Sequence, residues 1–175
     1  AANILEGWKW LLSKSPASDF SKSYTPLAPN ENGNYVFHYS GHGSQVCDTS
    51  RAEKDGRDET ICPIDFLTAG MITDDVIRDN LAVKVTPNSK LVSIIDACHS
   101  ESSFDLLWTV KVGFFGGFSL TKVGSYAPTL GDVVMLSGCK DDQTSADVEI
   151  GGVGQGALTY ALVQVLKQSN YNITC

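Results

Sequence analysis

The chain has 175 residues, a formal net charge of −7 and an ordinary globular composition, 42% hydrophobic and 19% charged. That length supports one domain with a real core, and the acidity, with no basic stripe, argues against a nucleic-acid partner. No apolar run approaches the roughly 20 residues of a membrane helix, and no signal-peptide pattern is read at the start.

Five cysteines (Cys47, Cys62, Cys98, Cys139, Cys175) make an odd number without CxxC spacing. Free thiols in a reducing, cytoplasmic compartment are expected, rather than a disulfide framework or a zinc site. The chain opens on Ala1 and ends on Cys175, so it reads as a piece of something longer. The sequon Asn172-Ile173-Thr174 carries no expected role.

In chain order, Asn3 is a candidate N-cap for a helix carrying Ile4, Leu5, Trp8, Leu11 and Leu12 at helical spacing. Residues 14–33 read as a Ser-, Pro-, Asn- and Gly-rich loop. A strand over Asn34 to Ser40 leads into a polar, acidic loop over about 41–63. A helix starts near Thr73, with Val76, Ile77 and Leu81 on one face, and Leu91 to Asp96 is the next strand. Residues 101–131 read as an irregular linker. A strand over Val133 to Ser137 and an amphipathic helix over Gly156 to Gln168 close the pattern. Apolar strands alternating with helices predict an α/β fold with a mostly parallel sheet covered on both faces. In such sheets reactive residues collect beyond the carboxyl ends of the strands.

Two strand ends carry chemistry. YSGHGS (39–44) delivers His42 and LVSIIDACHS (91–100) delivers Cys98. A thiol with a pKa near 8.5 needs a base to become a thiolate at neutral pH, and His42, flanked by Gly41 and Gly43, is the better candidate. Amide hydrogens near Gly43 and Cys98 are candidates to stabilise an oxyanion. His99, on extended backbone, points to the face opposite Cys98 and reads as a packing or hydrogen-bonding group. His38 reads as a core residue or a support behind the site. Asp96, two residues before Cys98, shares its strand face, where a carboxylate can pair with a guanidinium or ammonium group; the alternative is a helix cap or ion-pair member.

The pair YSGHGS and DACHS resembles the His and Cys motifs of the metacaspases, caspase-like peptidases of plants, fungi and protists. The 56 residues between His42 and Cys98 agree with the caspase separation of about 50. DGRDETICPIDF (55–66) with ITDD (72–75), and SGCKDDQTSAD (137–147) with GQGALTYAL (154–162), extend the likeness to type I members. The resemblance implies a caspase-like sandwich of sheet and helices in one domain. Its large-subunit-like part is 1–105, a linker 106–131 and a small-subunit-like part 132–175. It also implies endopeptidase activity after arginine or lysine on peptide substrates, by a monomer. Ser40 and Asp96 would line the specificity pocket. Activating, non-catalytic calcium would fall to Asp58, Asp74, Asp75 and Asp105, oxygen ligands of the kind calcium takes. Otherwise Asp74 and Asp75 favour a helix N-terminus and Asp58 is a solvated charge. Asp48, Glu53, Asp55 and Glu59 would thicken the negative field or solvate the loop.

Within the linker, Lys111 and Lys122 are candidate self-processing sites, and Cys139 reads as buried packing. Two departures from the family stand out. Glu101 replaces the glycine usual after CHS, and the family's first strand is not found before Asn3. A longer protein that supplies the strand is expected; alone, these residues would be poorly stable and weakly active. The competing readings are an inactive interaction module that keeps the fold, a calcium-independent paracaspase-like peptidase and a legumain-like enzyme.

Overall fold

The computed structural model describes residues 1–13, 32–48, 56–100, 102–112, 117–123, 126–138, 147–150 and 153–172. Helix α1 (Ala2–Leu11) forms where the apolar stripe predicts it, with Ala1 rather than Asn3 at its N-cap. Trp8 on this helix is 2% exposed. It meets Phe37 edge to face, ring centroids 5.7 Å apart at 86°, a geometry favoured by the aromatic quadrupole.

Strand β1 (Asn34–Ser40) follows. The stretch expected as a polar loop instead pairs: β2 (Gly43–Cys47) runs antiparallel to β3 (Arg57–Ile61), and β3 to the short β4 (Ile72–Thr73). These strands carry no apolar alternation because β3 buries polar side chains. Asp58, Glu59 and Thr60 are all buried, and Glu59 and Thr60 are held by hydrogen bonds to β2.

A short α2 (Phe66–Ala69) precedes β4. Helix α3 (Asp74–Asn80) starts where its cap dictates, the Thr73 hydroxyl accepting from the Val76 amide at 3.4 Å. Strand β5 (Lys90–Asp96) lies at the predicted place. The expected irregular linker contains a hairpin of β6 (Trp108–Val112) and β7 (Phe118–Lys122). Trp108, Val110, Phe118 and Leu120 share one face of it and are exposed. After β8 (Asp132–Ser137) comes an unanticipated hairpin, β9 (Asp147–Ile150) with β10 (Val153–Gly156), and then α4 (Ala157–Gln168).

The central sheet has the order β1-β5-β8, all parallel. The other strand pairs among the described residues are antiparallel, so parallel pairing is confined to the middle of the fold. One face of the sheet presents Tyr35, Phe37, Tyr39, Leu91, Ser93, Ile95, Val133 and Met135. Against it pack Trp8 of α1 and Ile77, Leu81 and Ala82 in and after α3. The opposite face carries His38 and Asp96, where Thr159 of α4 touches both, and there Val36, Val134 and Leu136 stay exposed. The architecture is α/β, a parallel sheet with helices flanking it.

Trp8→Ala removes the largest fully buried side chain and should cost about 3–5 kcal/mol of unfolding free energy, read as a lower urea midpoint with an unchanged slope.

Candidate active site

The parallel register sets the site. Ser40, the last residue of β1, pairs with Asp96, the last of β5, and the Gly41 amide donates to the Asp96 carbonyl at 3.3 Å. Two segments therefore leave the same end of the sheet side by side, one bearing His42 and one bearing Cys98. They meet through backbone. A Cβ on Gly43 would lie 2.1 Å from the Cys98 carbonyl oxygen and 3.2 Å from the Ala97 Cβ, so only a glycine allows the approach. His42 is exposed and Cys98 half-buried.

The His42 segment is anchored at its carbonyl, which accepts from the Tyr39 hydroxyl at 2.9 Å and from the Cys62 amide at 2.9 Å. The same hydroxyl reaches the Cys62 carbonyl at 3.1 Å. Burial pushes the Tyr39 phenol up, partly offset by a backbone hydrogen bond with Cys62. Cys62 is a second thiol at the site. Burial raises it first, its bond with Thr60 opposes that, and the nearby charge of Cys98 adds to the rise. Its Sγ contacts the Met71 sulfur at 3.7 Å.

The backbone departs from the extended conformation expected through Cys98 and His99. β5 ends at Asp96, so Asp96 and Cys98 do not share a strand face. His99 has φ +50°, a left-handed conformation rather than an extended one, so strand alternation does not decide where it points. Asp96 is 3% exposed, and its Oδ2 accepts from the Thr159 amide in the first turn of α4 at 2.7 Å. Gly156 lies so near that a Cβ there would sit 2.1 Å from that oxygen. The carboxylate thus caps α4 from another strand, favoured by the helix dipole, as the cap alternative anticipates. Ser40 is exposed. His38, expected in the core or behind the site, is exposed, its Nε2 3.0 Å from Thr159 Oγ1.

Three of the four aspartates assigned to calcium come together. Asp74, Asp75 and Asp105 each place a carboxylate oxygen within 4.8 Å of the others. Asp58 lies outside that group, and at 6% exposure it is not a solvated loop charge. Asp74 is pushed up to about 9, first by burial and then by the charge of Asp105, despite amide hydrogens from Glu59 and Asp75 at 2.7 and 2.8 Å. Asp74 and Asp75 also form the first turn of α3, so dipole stabilisation and mutual closeness hold together. Asp105 has φ +47°, and its carbonyl accepts from the buried Arg78 at 2.7 Å.

Glu59 is a further correction. It is 2% exposed and hydrogen-bonded, not a solvating charge. Lys111 and Lys122 lie on paired strands, opposite Ser119 and Trp108, rather than in irregular chain. Glu53, Asp55, Glu101 and Cys139 fall outside the described residues. The sequence motifs gave no role to Tyr39, Cys62 or Thr159. All three sit inside the motifs quoted, but nothing in those motifs marks Thr159 as a partner of Asp96.

Comparison with known proteins places these observations. A family model described as the metacaspase, peptidase C14 domain matches residues 27–107. Metacaspase-1 of Arabidopsis thaliana is 40% identical over 146 residues, covering 79% of this chain and 40% of that protein. Metacaspase-1A of Neurospora crassa is 32% identical over 210 residues, covering 94% of this chain and 43% of that protein. The chain thus spans less than half the length of these relatives. Among solved structures, protein GSU0716 from Geobacter sulfurreducens aligns over 98% of this chain and 63% of its own, with TM-score 0.59 and 24% identity, a likeness of fold.

Glycine substitutions test the backbone contact. Gly43→Ala should destabilise by about 1–3 kcal/mol through overpacking. Gly7→Ala, in open space on α1, should stabilise by roughly 0.5–1 kcal/mol. Paired urea titrations read both signs.

Proposed function

The chain belongs to the metacaspase family, peptidase C14, and from that premise we propose that it acts as a calcium-stimulated cysteine endopeptidase of type I, cleaving after arginine or lysine. Cys98 is the nucleophile. His42 takes its proton, and the thiolate attacks the scissile carbonyl. The proton then passes to the leaving amine, and water hydrolyses the thioester. Amide hydrogens near Gly43 and Cys98 stabilise the oxyanion. The observation that carries this reading is the close approach of Gly43 to the Cys98 carbonyl, which brings the two reactive segments into backbone contact.

Ser40 and Asp96, paired in register, are the proposed readers of the basic side chain. One observation favours a second role for Asp96: its Oδ2 is engaged by the α4 amide, so the carboxylate also holds the helix. On that reading the family fold is kept for interaction, and turnover is not required. Asp96→Asn separates the two. A specificity role predicts a KM for arginyl peptides raised about 10–100-fold, the size of a charge-assisted contact of 1.5–3 kcal/mol; a cap role alone predicts a lower melting temperature with KM unchanged.

Calcium suits the acidic group. The ligand atoms are hard carboxylate oxygens, mutually close, and burial together with the charge of Asp105 raises the Asp74 carboxyl. Asp74, Asp75 and Asp105 would hold the ion, with Asp58 joining by resemblance, and the ion would supply charge compensation away from the reacting bond. Calcium dependence also separates this reading from a paracaspase-like one. The protein is proposed to work as a cytoplasmic monomer on peptide substrates, consistent with the free thiols Cys47, Cys62 and Cys98. Lys111 and Lys122 remain the proposed self-cleavage positions, tested by mass spectrometry for new termini after calcium addition.

The deciding assay compares arginyl, lysyl and aspartyl fluorogenic peptides with and without calcium on the full-length protein. Cys98→Ala should lower turnover at least about 10³-fold; unchanged activity would refute the assignment. At about 100 times its Kd, calcium should add about 2.7 kcal/mol of stability, and Asp74→Asn should abolish that gain.

A further inference from the structure

We propose that Glu59 is a positioning residue that ties the His42 segment to the Cys98 segment, an inference that rests on the reading of those two residues as the catalytic pair. The carboxylate is almost fully buried, at 2% exposure, and a buried carboxylate is costly unless it is hydrogen-bonded. Both oxygens are used. Gln45 Nε2 donates to Oε1 at 2.8 Å, and Ser102 Oγ donates to Oε2 at 2.6 Å. The Gln45 amide is itself oriented, its Oε1 accepting from Arg57 Nη1 at 3.1 Å.

The positions of the two donors give the carboxylate its meaning. Gln45 stands directly opposite Glu59 across the β2–β3 ladder, three residues after His42. Ser102 lies four residues after Cys98, in the turn that follows β5. A single side chain therefore bonds to both reactive segments, through Gln45 on one and Ser102 on the other. The backbone of the same residue serves the acidic group, the Glu59 amide donating to Asp74 Oδ2 at 2.7 Å. Carboxylate, amide and acidic group thus converge on one residue of β3. Two charge-assisted bonds of this kind resist displacement more strongly than neutral ones. A shift of about 1 Å between reacting groups can cost about 10²-fold in rate.

The test uses Ser102→Ala, Glu59→Gln and Glu59→Ala in the full-length protein with saturating calcium. The readouts are kcat and KM on an arginyl peptide, the pH profile of Cys98 alkylation by iodoacetamide, and the melting temperature. Ser102→Ala cuts only the arm to the Cys98 segment and leaves the β2–β3 ladder in place. It should lower kcat about 10-fold with KM within about 2-fold, and move the alkylation limb toward the free-thiol value of about 8.5. Glu59→Ala should do more, and Glu59→Gln, which keeps hydrogen-bonding capacity, should recover part of the loss. A wild-type limb below the free-thiol value that stays unshifted in Ser102→Ala and Glu59→Gln, with kcat unchanged, overturns the tie alone. A wild-type protein with no depressed limb and no turnover overturns the catalytic pair and the tie with it.

Discussion

The parallel pairing of β1 with β5 is the constraint on which the rest of the site depends. It brings Ser40 level with Asp96, and both strands stop there, so the chain must turn away from the sheet twice in one place. The turns are then forced together. Gly43 lies against the Cys98 carbonyl because no side chain separates them, and the His42 carbonyl is held by Tyr39 and by the Cys62 amide. Sheet geometry thus supplies proximity, and hydrogen bonds to main-chain atoms supply orientation.

Buried negative charge is the second organising feature. Asp58, Glu59, Asp74, Asp96 and Asp105 are all buried in a chain already at −7, and the cost is met differently at the positions where partners are resolved. Asp96 takes an amide at the start of α4. Glu59 takes a side-chain amide and a hydroxyl. Asp74 takes two main-chain amides and still rests high, because burial and Asp105 outweigh them. Arg78, buried between Tyr126 and the carbonyls of Asp105 and Ala127, brings positive charge to the same neighbourhood. Among the described residues, Asp74, Asp75 and Asp105 are the acidic groups whose carboxylate oxygens lie close enough together to share a cation.

The two faces of the central sheet divide the work. One is packed by α1 and α3 around Trp8, Leu91 and Ile95 and makes the fold stable. The other carries Asp96 and His38 toward Thr159 of α4, with apolar side chains still exposed beside them. The turns after β1 and β5, bearing the exposed His42 and the half-buried Cys98, leave from the end of the sheet rather than from either face.

Much of this was legible in local pattern. The apolar stripe of α1, the apolar strands β1, β5 and β8, the Thr73 cap and the two motifs bearing His42 and Cys98 each announce themselves through side-chain period or residue type. β6 and β7 alternate apolar and polar residues, but they lie in a stretch that reads as an irregular linker. Other features have no local sign. β2 and β3 bury polar residues that are stable only because distant groups satisfy them, as Gln45 and Ser102 satisfy Glu59. The cap role of Asp96 depends on an amide 63 residues away, and strand periodicity misjudged both Asp96 and His99 because β5 ends before Cys98. The sequence by itself determined which groups can react and which segments form the sheet, because period and residue chemistry are local properties. Only the tertiary structure decided how those groups are held and which buried charges have partners, because hydrogen bonding across the chain depends on what the fold brings within 3 Å.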